Sequence, residues 1–149
     1  MPRVRDLLVR KSARGVPTAI VSIGPDATVL EAAQLMTARG IGGLLVMERD
    51  QLAGIFTERD ILRRVVTEAR DPAGTRVRDV MTSPVLAVSP DTYVKECRAL
   101  FTERRIRHLP IVGPEGLVGV ITSGDVLAFE ADEQRTAIEH LESYVYHSR

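Results

Sequence analysis

The sequence predicts an α/β fold built from two copies of one β-α-β-β-α unit, followed by a C-terminal helix. The first observation is an internal repeat: residues 54–60 recur as residues 119–125, at an offset of 65 residues (119 − 54). The second is that strand-like and helix-like spacing of apolar residues follow in the same order in both copies. Each copy of about 60 residues is marginal by itself by surface-to-volume scaling, so the two should pack as one module.

Each copy begins with a short strand and a helix. β-rich stretches predict first strands at Thr18–Ile23 and Val85–Val88. Asp26 and Asp91 each follow a proline and precede a helical period, as residues at helix starts do. The apolar positions of these helices are Val29, Ala32, Leu35 and Met36 in the first copy, and Val94, Cys97, Leu100 and Phe101 in the second.

Two further strands and a second helix complete each copy. The predicted strands are Leu44–Met47 and Leu52–Phe56, then Leu109–Val112 and Leu117–Ile121. A helix is expected to begin at each Thr-x-x-Asp, and the last one should run from Asp125 to about Tyr146. Its apolar stripe either packs on the module or forms part of a dimer interface; the stripe comprises Ile138, Leu141 and Val145.

A leader precedes each copy, since residues 4–6 recur as residues 77–79 at an offset of 73 (77 − 4). The first copy therefore carries eight extra residues (73 − 65) after its leader. The extra residues lie around Val9–Gly15, a stretch that is basic and contains glycine. This composition favours a solvated loop; a lid over a bound anion is the alternative. With a linker at Arg70–Thr75, the predicted divisions are residues 1–70, 71–127 and 128–149.

Composition excludes several classes of protein. The 149 residues include 20 basic and 20 acidic side chains, no Trp, three Tyr and three Phe. Neither a net positive field nor an aromatic platform is present to bind nucleic acid. No apolar run is long enough to cross a membrane or to serve as a signal peptide, so we expect a cytoplasmic protein without membrane contact. The single cysteine, Cys97, fits a small buried filler.

The repeated Thr-x-x-Asp has two interpretations. In the first, the threonine caps a helix and the aspartate three residues later reaches back to the cap amide. In the second, the helix N-terminus and the threonine meet a phosphate, while the aspartate accepts the two hydroxyls of a ribose. Glycine three residues before each threonine leaves room for a pocket, and capping prefers Glu to the Asp of both copies. We therefore predict a nucleotide site at Thr57 and Asp60 and at Thr122 and Asp125.

Catalysis and metal binding find no support in the sequence. His140 and His147 have no carboxylate-rich setting, and no nucleophile with a matching base is present. A glycine-rich phosphate loop is also missing. We expect neither an enzyme nor a required cofactor, and a small enzyme ranks below the other functions.

These elements resemble a tandem pair of CBS domains (cystathionine-β-synthase domains, the Bateman module), of the stand-alone bacterial type. The resemblance rests on the two Gly-h-h-Thr-x-x-Asp motifs (h is an apolar residue), on the leaders, and on residues 40–46 and 105–112. It covers Val4 to about Leu127. It implies two repeats packed with pseudo-two-fold symmetry and clefts that take adenosine compounds such as AMP, ADP, ATP or S-adenosylmethionine.

The resemblance also implies which residues line each cleft. Asp60, Thr57 and Thr18, Ala19 and Ile20 would form the first site. Asp125, Thr122 and Ser83, Pro84 and Val85 would form the second. In each, the aspartate would bind ribose, the threonine would approach phosphate, and the strand residues would contact adenine.

The two sites are not expected to be equal. By the family's geometry Arg107 and His108 face the central cleft, and Arg59 should point toward the same phosphate. The first copy has Gly42 and Gly43 in place of Arg107 and His108. The second site should therefore bind a phosphorylated ligand better, because charge-assisted hydrogen bonds are the stronger ones. The alternative for Arg107 is a solvated arginine in a basic helix end.

The sequence thus predicts a non-catalytic homodimer that senses an adenosine nucleotide and acts on a regulated protein. A ligand-free CBS scaffold that works through protein contacts is the alternative.

Overall fold

The computed structural model of the chain describes residues 1–15 and 20–147. In chain order its elements are α1 (Val4–Ala13), β1 (Ser22–Ile23), α2 (Val29–Arg39), β2 (Gly43–Glu48), β3 (Gln51–Thr57), α3 (Glu58–Asp60), which continues as a π-helical segment (Ile61–Val66), α4 (Val77–Val80), α5 (Val94–Arg104), β4 (His108–Gly113), β5 (Gly116–Thr122) and α6 (Ser123–His147). The predicted mixed α/β fold with a long C-terminal helix is confirmed.

The chain forms two compact units. The central unit comprises residues 19–87 and 114–119, and the terminal unit comprises residues 1–18, 88–113 and 120–149. In the central unit, β2 pairs in parallel with β1 and antiparallel with β3. Alternate residues of β2 and β3 are buried against α2, the π-helical segment and α4. The buried set includes Leu44, Val46 and Phe56 from the sheet, and Val29, Ala32, Met36, Val65, Val77 and Val80 from the helices.

The terminal unit has its own core. Strands β4 and β5 form a two-stranded sheet, of which β4 and residues 120–122 of β5 belong to this unit. Helices α1, α5 and α6 contribute to the same core, which includes Leu7, Phe101, Leu109, Ile121, Phe129 and further apolar side chains. Cys97 is 0 % exposed in this core, and burial raises the pKa of its thiol to about 11. The thiol is therefore neutral at ordinary pH and acts as a small apolar side chain, as predicted.

The first strands are shorter than the sequence predicts. In the first copy only Ser22 and Ile23 pair as a strand, while Thr18 and Ala19 lie outside the described residues. In the second copy, Val88 alone forms a bridge, parallel to Ile111. Leu86 is 38 % exposed, so the β-rich composition that favoured a strand from Val85 does not produce a buried strand there.

The helix starts predicted at Asp26 and Asp91 are wrong. Helix α2 begins after Thr28, whose hydroxyl accepts the N–H of Glu31 at 3.1 Å. Helix α5 begins after Tyr93. Each aspartate instead pairs with arginines of a leader, which accounts for its repetition.

The leaders exchange places between the copies. In the central unit the N–H groups of Val77 and Arg78 donate to the carbonyls of Ala27 and Pro25, both at 2.9 Å. Arg78 also binds Asp26 at 3.2 Å. The leader of the second copy is thereby fixed to the first copy.

The terminal unit repeats this arrangement with the other leader. There the N–H groups of Val4 and Arg5 donate to the carbonyls of Thr92 at 2.8 Å and Pro90 at 3.0 Å, and Arg5 pairs with Asp91. The compact units therefore cut across the predicted divisions at residues 1–70 and 71–127, which group each leader with its own copy.

The stretch predicted as a loop, Val9–Gly15, is mostly helical. Helix α1 continues to Ala13 because its last turns lie along α6 and form ion pairs with it. Helix α6 is continuous from Ser123 to His147, as predicted. Its stripe faces solvent: Ile138 is 55 %, Leu141 66 % and Val145 50 % exposed.

Candidate ligand-binding site

Both Thr-x-x-Asp motifs form the reciprocal capping arrangement at a helix start. Thr57 N–H donates to Asp60 Oδ2 at 3.0 Å and Asp60 N–H to Thr57 Oγ1 at 3.4 Å. Thr122 N–H donates to Asp125 Oδ2 at 2.9 Å and Asp125 N–H to Thr122 Oγ1 at 3.1 Å. Capping therefore uses one carboxylate oxygen in each copy. What each motif can bind depends on the other oxygen.

In the first copy that second oxygen is occupied. Asp60 Oδ1 accepts the hydroxyl of Thr82 at 2.9 Å, and Arg64 Nε lies 3.9 Å away. Two backbone hydrogen bonds to Ile55, at 2.9 and 3.0 Å, hold Thr82 in place. Asp60 is only 5 % exposed. Its carboxylate is a buried structural acceptor whose hydrogen bonds are made within the protein.

In the second copy the second oxygen is open. Asp125 Oδ2 accepts Lys11 Nζ at 2.8 Å in addition to the cap amide. Among residues 1–15 and 20–147, none donates a hydrogen bond to Asp125 Oδ1. The Asp125 side chain is 19 % exposed. This carboxylate is fixed in orientation and retains an unused acceptor.

A small pocket adjoins Asp125 within the terminal unit. Its volume is about 110 Å³, and its lining comes from one face of α1 and one face of α6: Leu7, Arg10, Lys11, Arg14, Asp125, Ala128, Phe129 and Asp132. Two cations of α1 and Arg14, which directly follows it, pair with carboxylates of α6. Arg10 binds Glu133 at 2.6 Å, Lys11 binds Asp125, and Arg14 binds Asp132.

The eight extra residues of the first copy account for this difference between the motifs. Helix α4 ends at Val80, so the chain turns at once and places Thr82 on Asp60. By the leader offset the residue equivalent to Thr82 is Val9, which lies within α1 and is 71 % exposed. The longer α1 brings Lys11 to Asp125 instead.

The predicted first-strand residues of the second copy do not lie in the same unit as the motif with which the resemblance grouped them. Ser83, Pro84 and Val85 lie in the central unit, where Ser83 Oγ donates to the carbonyl of Ala53 at 2.9 Å. They are grouped with Asp60 rather than with Thr122 and Asp125, because the exchanged leader carries the following residues with it. Of the other predicted strand, Thr18 and Ala19 lie outside the described residues, and Ile20 is 38 % exposed.

The predicted phosphate partners lie in both units. Arg107 is exposed just before β4, and its carbonyl accepts the N–H of Ser123 at 3.1 Å, so its backbone adjoins the start of α6. His108 is the half-buried first residue of β4. Arg59 is exposed on α3 of the central unit. Their convergence on one phosphate remains a prediction.

Arg10, Lys11 and Arg14 were not among the predicted site residues. They lie in the stretch around Val9–Gly15, for which the sequence favoured a solvated loop and left a lid over a bound anion as the alternative. Within the described ranges, no group of His, Cys, Asp and Glu has the arrangement needed to hold a metal ion. A search of the same residues finds no helix with the length and apolarity that crossing a bilayer requires.

Comparison with known proteins identifies the family. The family model of the CBS domain matches residues 4–67 and residues 77–132. The chain therefore belongs to the CBS domain family, with two repeats in tandem, as the two offsets indicate.

Relatives and solved structures agree with this assignment. The chain is 37 % identical over 125 residues to the CBS domain-containing protein CBSX3, mitochondrial, of Arabidopsis thaliana, which covers 80 % of this chain and 61 % of the relative. It thus spans about three fifths of that protein. A CBS-domain protein structure from Burkholderia ambifaria superposes with a TM-score of 0.81 at 39 % identity, covering 89 % of this chain and 96 % of that one.

An enzyme also contains a similar segment. The chain is 36 % identical over 121 residues, 80 % of its length, to inosine-5'-monophosphate dehydrogenase of Methanocaldococcus jannaschii, but it matches only 23 % of that protein. The similarity is thus to a segment of the enzyme. CBS-domain pairs are regulatory modules, and this chain is a CBS-domain pair.

Proposed function

We propose that the chain is a non-catalytic regulatory module that binds an adenosine nucleotide (AMP, ADP or ATP), with Asp125 as the ribose acceptor. The observation that carries the proposal is the open Oδ1 of Asp125 beside a pocket. A ribose diol supplies two hydroxyl donors, and an ionised carboxylate is an acceptor with two oxygens. The cap amide and Lys11 hold Oδ2 in place, so the carboxylate is oriented before a ligand arrives.

The same geometry favours ribose binding at the second motif alone rather than at both motifs. A ribose hydroxyl at Asp60 would have to displace Thr82 from a carboxylate that is 5 % exposed. That exchange replaces one hydrogen bond by another and adds the cost of opening a buried contact. The prediction that the second copy binds better therefore gains support, although from the carboxylates rather than from the arginines.

Helix α6 offers a route from the ligand to a protein partner. Its first turn contains Asp125, and its last turns carry the exposed stripe of Ile138, Leu141 and Val145. A ligand that contacts the first turn can change the position or stability of the same continuous helix. A regulated protein that binds this surface would then respond to the nucleotide, provided the ligand binds one state of the helix more tightly than another.

The second candidate is a scaffold without a ligand. The closed capping pairs of both motifs favour it, as does the Lys11–Asp125 ion pair. In this alternative the aspartates serve only helix stability, and the exposed stripe of α6 is the functional surface.

Thermal denaturation separates the two candidates. A ligand that binds only the folded chain at a hundredfold excess over Kd adds about 2.7 kcal/mol, which raises Tm by roughly 5–10 °C for a domain of this size. We expect AMP, ADP or ATP at millimolar concentration to give such a shift, with GMP as the control for the base. If adenosine, its nucleotides, S-adenosylmethionine and NAD all leave Tm unchanged, the scaffold is the correct function.

We also propose that the chain is a homodimer. Every described side chain from Gln134 to Val145 is exposed, and a helix of that length is marginal in water without packing. A second copy is the commonest partner for such a surface, because most soluble oligomers are symmetric pairs.

Light scattering at tens of micromolar tests this proposal. We expect twice the chain mass of 16.4 kDa, and a single chain mass for Leu141→Glu because the stripe then carries a charge. Ser143→Glu adds the same charge away from the stripe and should remain dimeric. A wild-type chain that scatters as a monomer would show that the stripe does not join two copies.

A further inference from the structure

Arg10, which lines the pocket between α1 and α6, has one buried nitrogen without an acceptor. Arg10 Nη2 binds Glu133 Oε1 at 2.6 Å, and the guanidinium lies 4.6 Å from the centre of the Phe129 ring. Arg10 Nη1 is buried, and no acceptor for it is present among the described residues. A buried donor is costly to leave unpaired, and a charged one more so. The unpaired atom belongs to a side chain that lines the pocket.

The charges around the pocket suit an anion. The lining of the pocket contains three cations, Arg10 and Lys11 of α1 and Arg14 just after it, and two carboxylates of α6, Asp125 and Asp132, so the cations exceed the carboxylates by one (3 − 2). Glu133 pairs with Arg10, and Arg135 pairs with Asp132. Arg98 and Glu130 pair with each other and add no net charge.

The volume admits an anion. On this scale one water molecule needs only about 10–15 Å³, so a pocket of about 110 Å³ has room for a tetrahedral phosphate group.

We propose that this pocket is an anion subsite that takes a phosphate group, with Arg10 Nη1 as its donor and Lys11 and Arg14 in its wall. The inference rests on the proposed function, because the phosphate of a nucleotide whose ribose is on Asp125 is the expected source. Asp125 lines the same pocket, and ribose and phosphate are adjacent in a nucleotide. Free inorganic phosphate is the other source of the same chemistry.

This assignment differs from the one based on resemblance. The phosphate partners predicted there were Arg107, His108 and Arg59, near the strand and helix starts of the repeats. The subsite uses instead the eight extra residues that only the first leader carries. Helix α4 ends at Val80, before the position equivalent to Arg10 (10 + 73 = 83), so this described helix carries no counterpart of Arg10.

Calorimetry on the full chain tests the subsite with adenosine and AMP as paired probes. We expect the wild type to bind AMP more tightly than adenosine by about tenfold or more, as one charge-assisted contact to phosphate warrants. Arg10→Met should weaken AMP by about the same factor and change adenosine by less than about twofold. Arg5→Met removes the same charge from the same helix outside the pocket and should leave both affinities unchanged.

The other possible results distinguish failure of the subsite from failure of the proposed function. Equal binding of adenosine and AMP by the wild type overturns the subsite and leaves the proposed function intact. Loss of the AMP preference in Arg107→Ala but not in Arg10→Met moves the phosphate to β4 and also overturns it. If no adenosine compound binds, yet inorganic phosphate raises Tm of the wild type and not of Arg10→Met, the subsite stands and nucleotide sensing fails. Should Arg10→Met not fold, Arg14→Met at the rim replaces it with the same expected loss.

Discussion

Replacing Asp60 by alanine is expected to lower the free energy of unfolding by about 2–4 kcal/mol, the range for breaking a buried charged hydrogen-bond network. The carboxylate caps the helix at Thr57 and also accepts the hydroxyl of Thr82, and it is 5 % exposed. Alanine leaves the Thr57 amide and the Thr82 hydroxyl without their acceptor in a poorly solvated place. Chemical denaturation monitored by circular dichroism measures the loss.

The two copies provide the controls for this prediction. Asp125→Ala removes the matching cap from a carboxylate that is more exposed, so we expect a smaller loss of about 1 kcal/mol, typical of a helix cap. Asp60→Asn keeps an acceptor near Thr82 and should fall between the wild type and Asp60→Ala. Equal losses for Asp60→Ala and Asp125→Ala would show that Thr82 adds nothing to the first motif.

The sequence predicts the strands and helices well where the two copies reinforce each other. The pairs around the polar turns, such as β2 with β3, are formed by short apolar runs whose partners lie a few residues away. Local alternation is enough to find them. The long last helix is also found from a local pattern, since Ile138, Leu141 and Val145 recur at three- and four-residue spacing.

The exchange of leaders could not be read from local patterns. The residues that dock are far apart in the chain, as with Arg78 and Asp26, or Arg5 and Asp91. The repeated Pro-Asp pairs looked like helix starts because that is the common local use of such residues. Their actual partners are identified only in the fold, where the leader of one copy lies against the residues before the first helix of the other copy.

The candidate site was predicted in part for a similar reason. The spacing of Thr122 and Asp125 serves a helix cap and a ligand equally well, and both copies form the cap. Whether a carboxylate keeps a free oxygen depends on Thr82 in one copy and on Lys11 in the other. Lys11 belongs to a stretch whose basic composition favours solvent, and its helix forms because carboxylates on α6 face it.

The open oxygen of Asp125 leads to the second large effect. We expect Asp125→Ala to weaken the binding of an adenosine nucleotide by roughly tenfold to hundredfold, since a charged hydrogen bond in a pocket contributes about 1–3 kcal/mol. Calorimetry with AMP measures the change directly. The loss should extend to adenosine itself, because the carboxylate contacts the ribose and not the phosphate.

Asp60→Asn is the matched variant for this measurement, because it changes the equivalent carboxylate without removing the side chain. Its affinity for AMP should stay within about twofold of the wild type, because Asp60 is only 5 % exposed and its Oδ1 already accepts the hydroxyl of Thr82. Asp125→Asn keeps one acceptor oxygen but loses the charge, so its affinity should fall between those of the wild type and Asp125→Ala. If Asp60→Asn weakens AMP as much as Asp125→Ala does, then the ligand opens the Thr82 contact and the first motif binds ribose as well. We expect Arg10→Met to weaken the binding of AMP and to retain the binding of adenosine, whereas Asp125→Ala should weaken both. This pair of results would show that α1 recognises the phosphate and that α6 recognises the ribose.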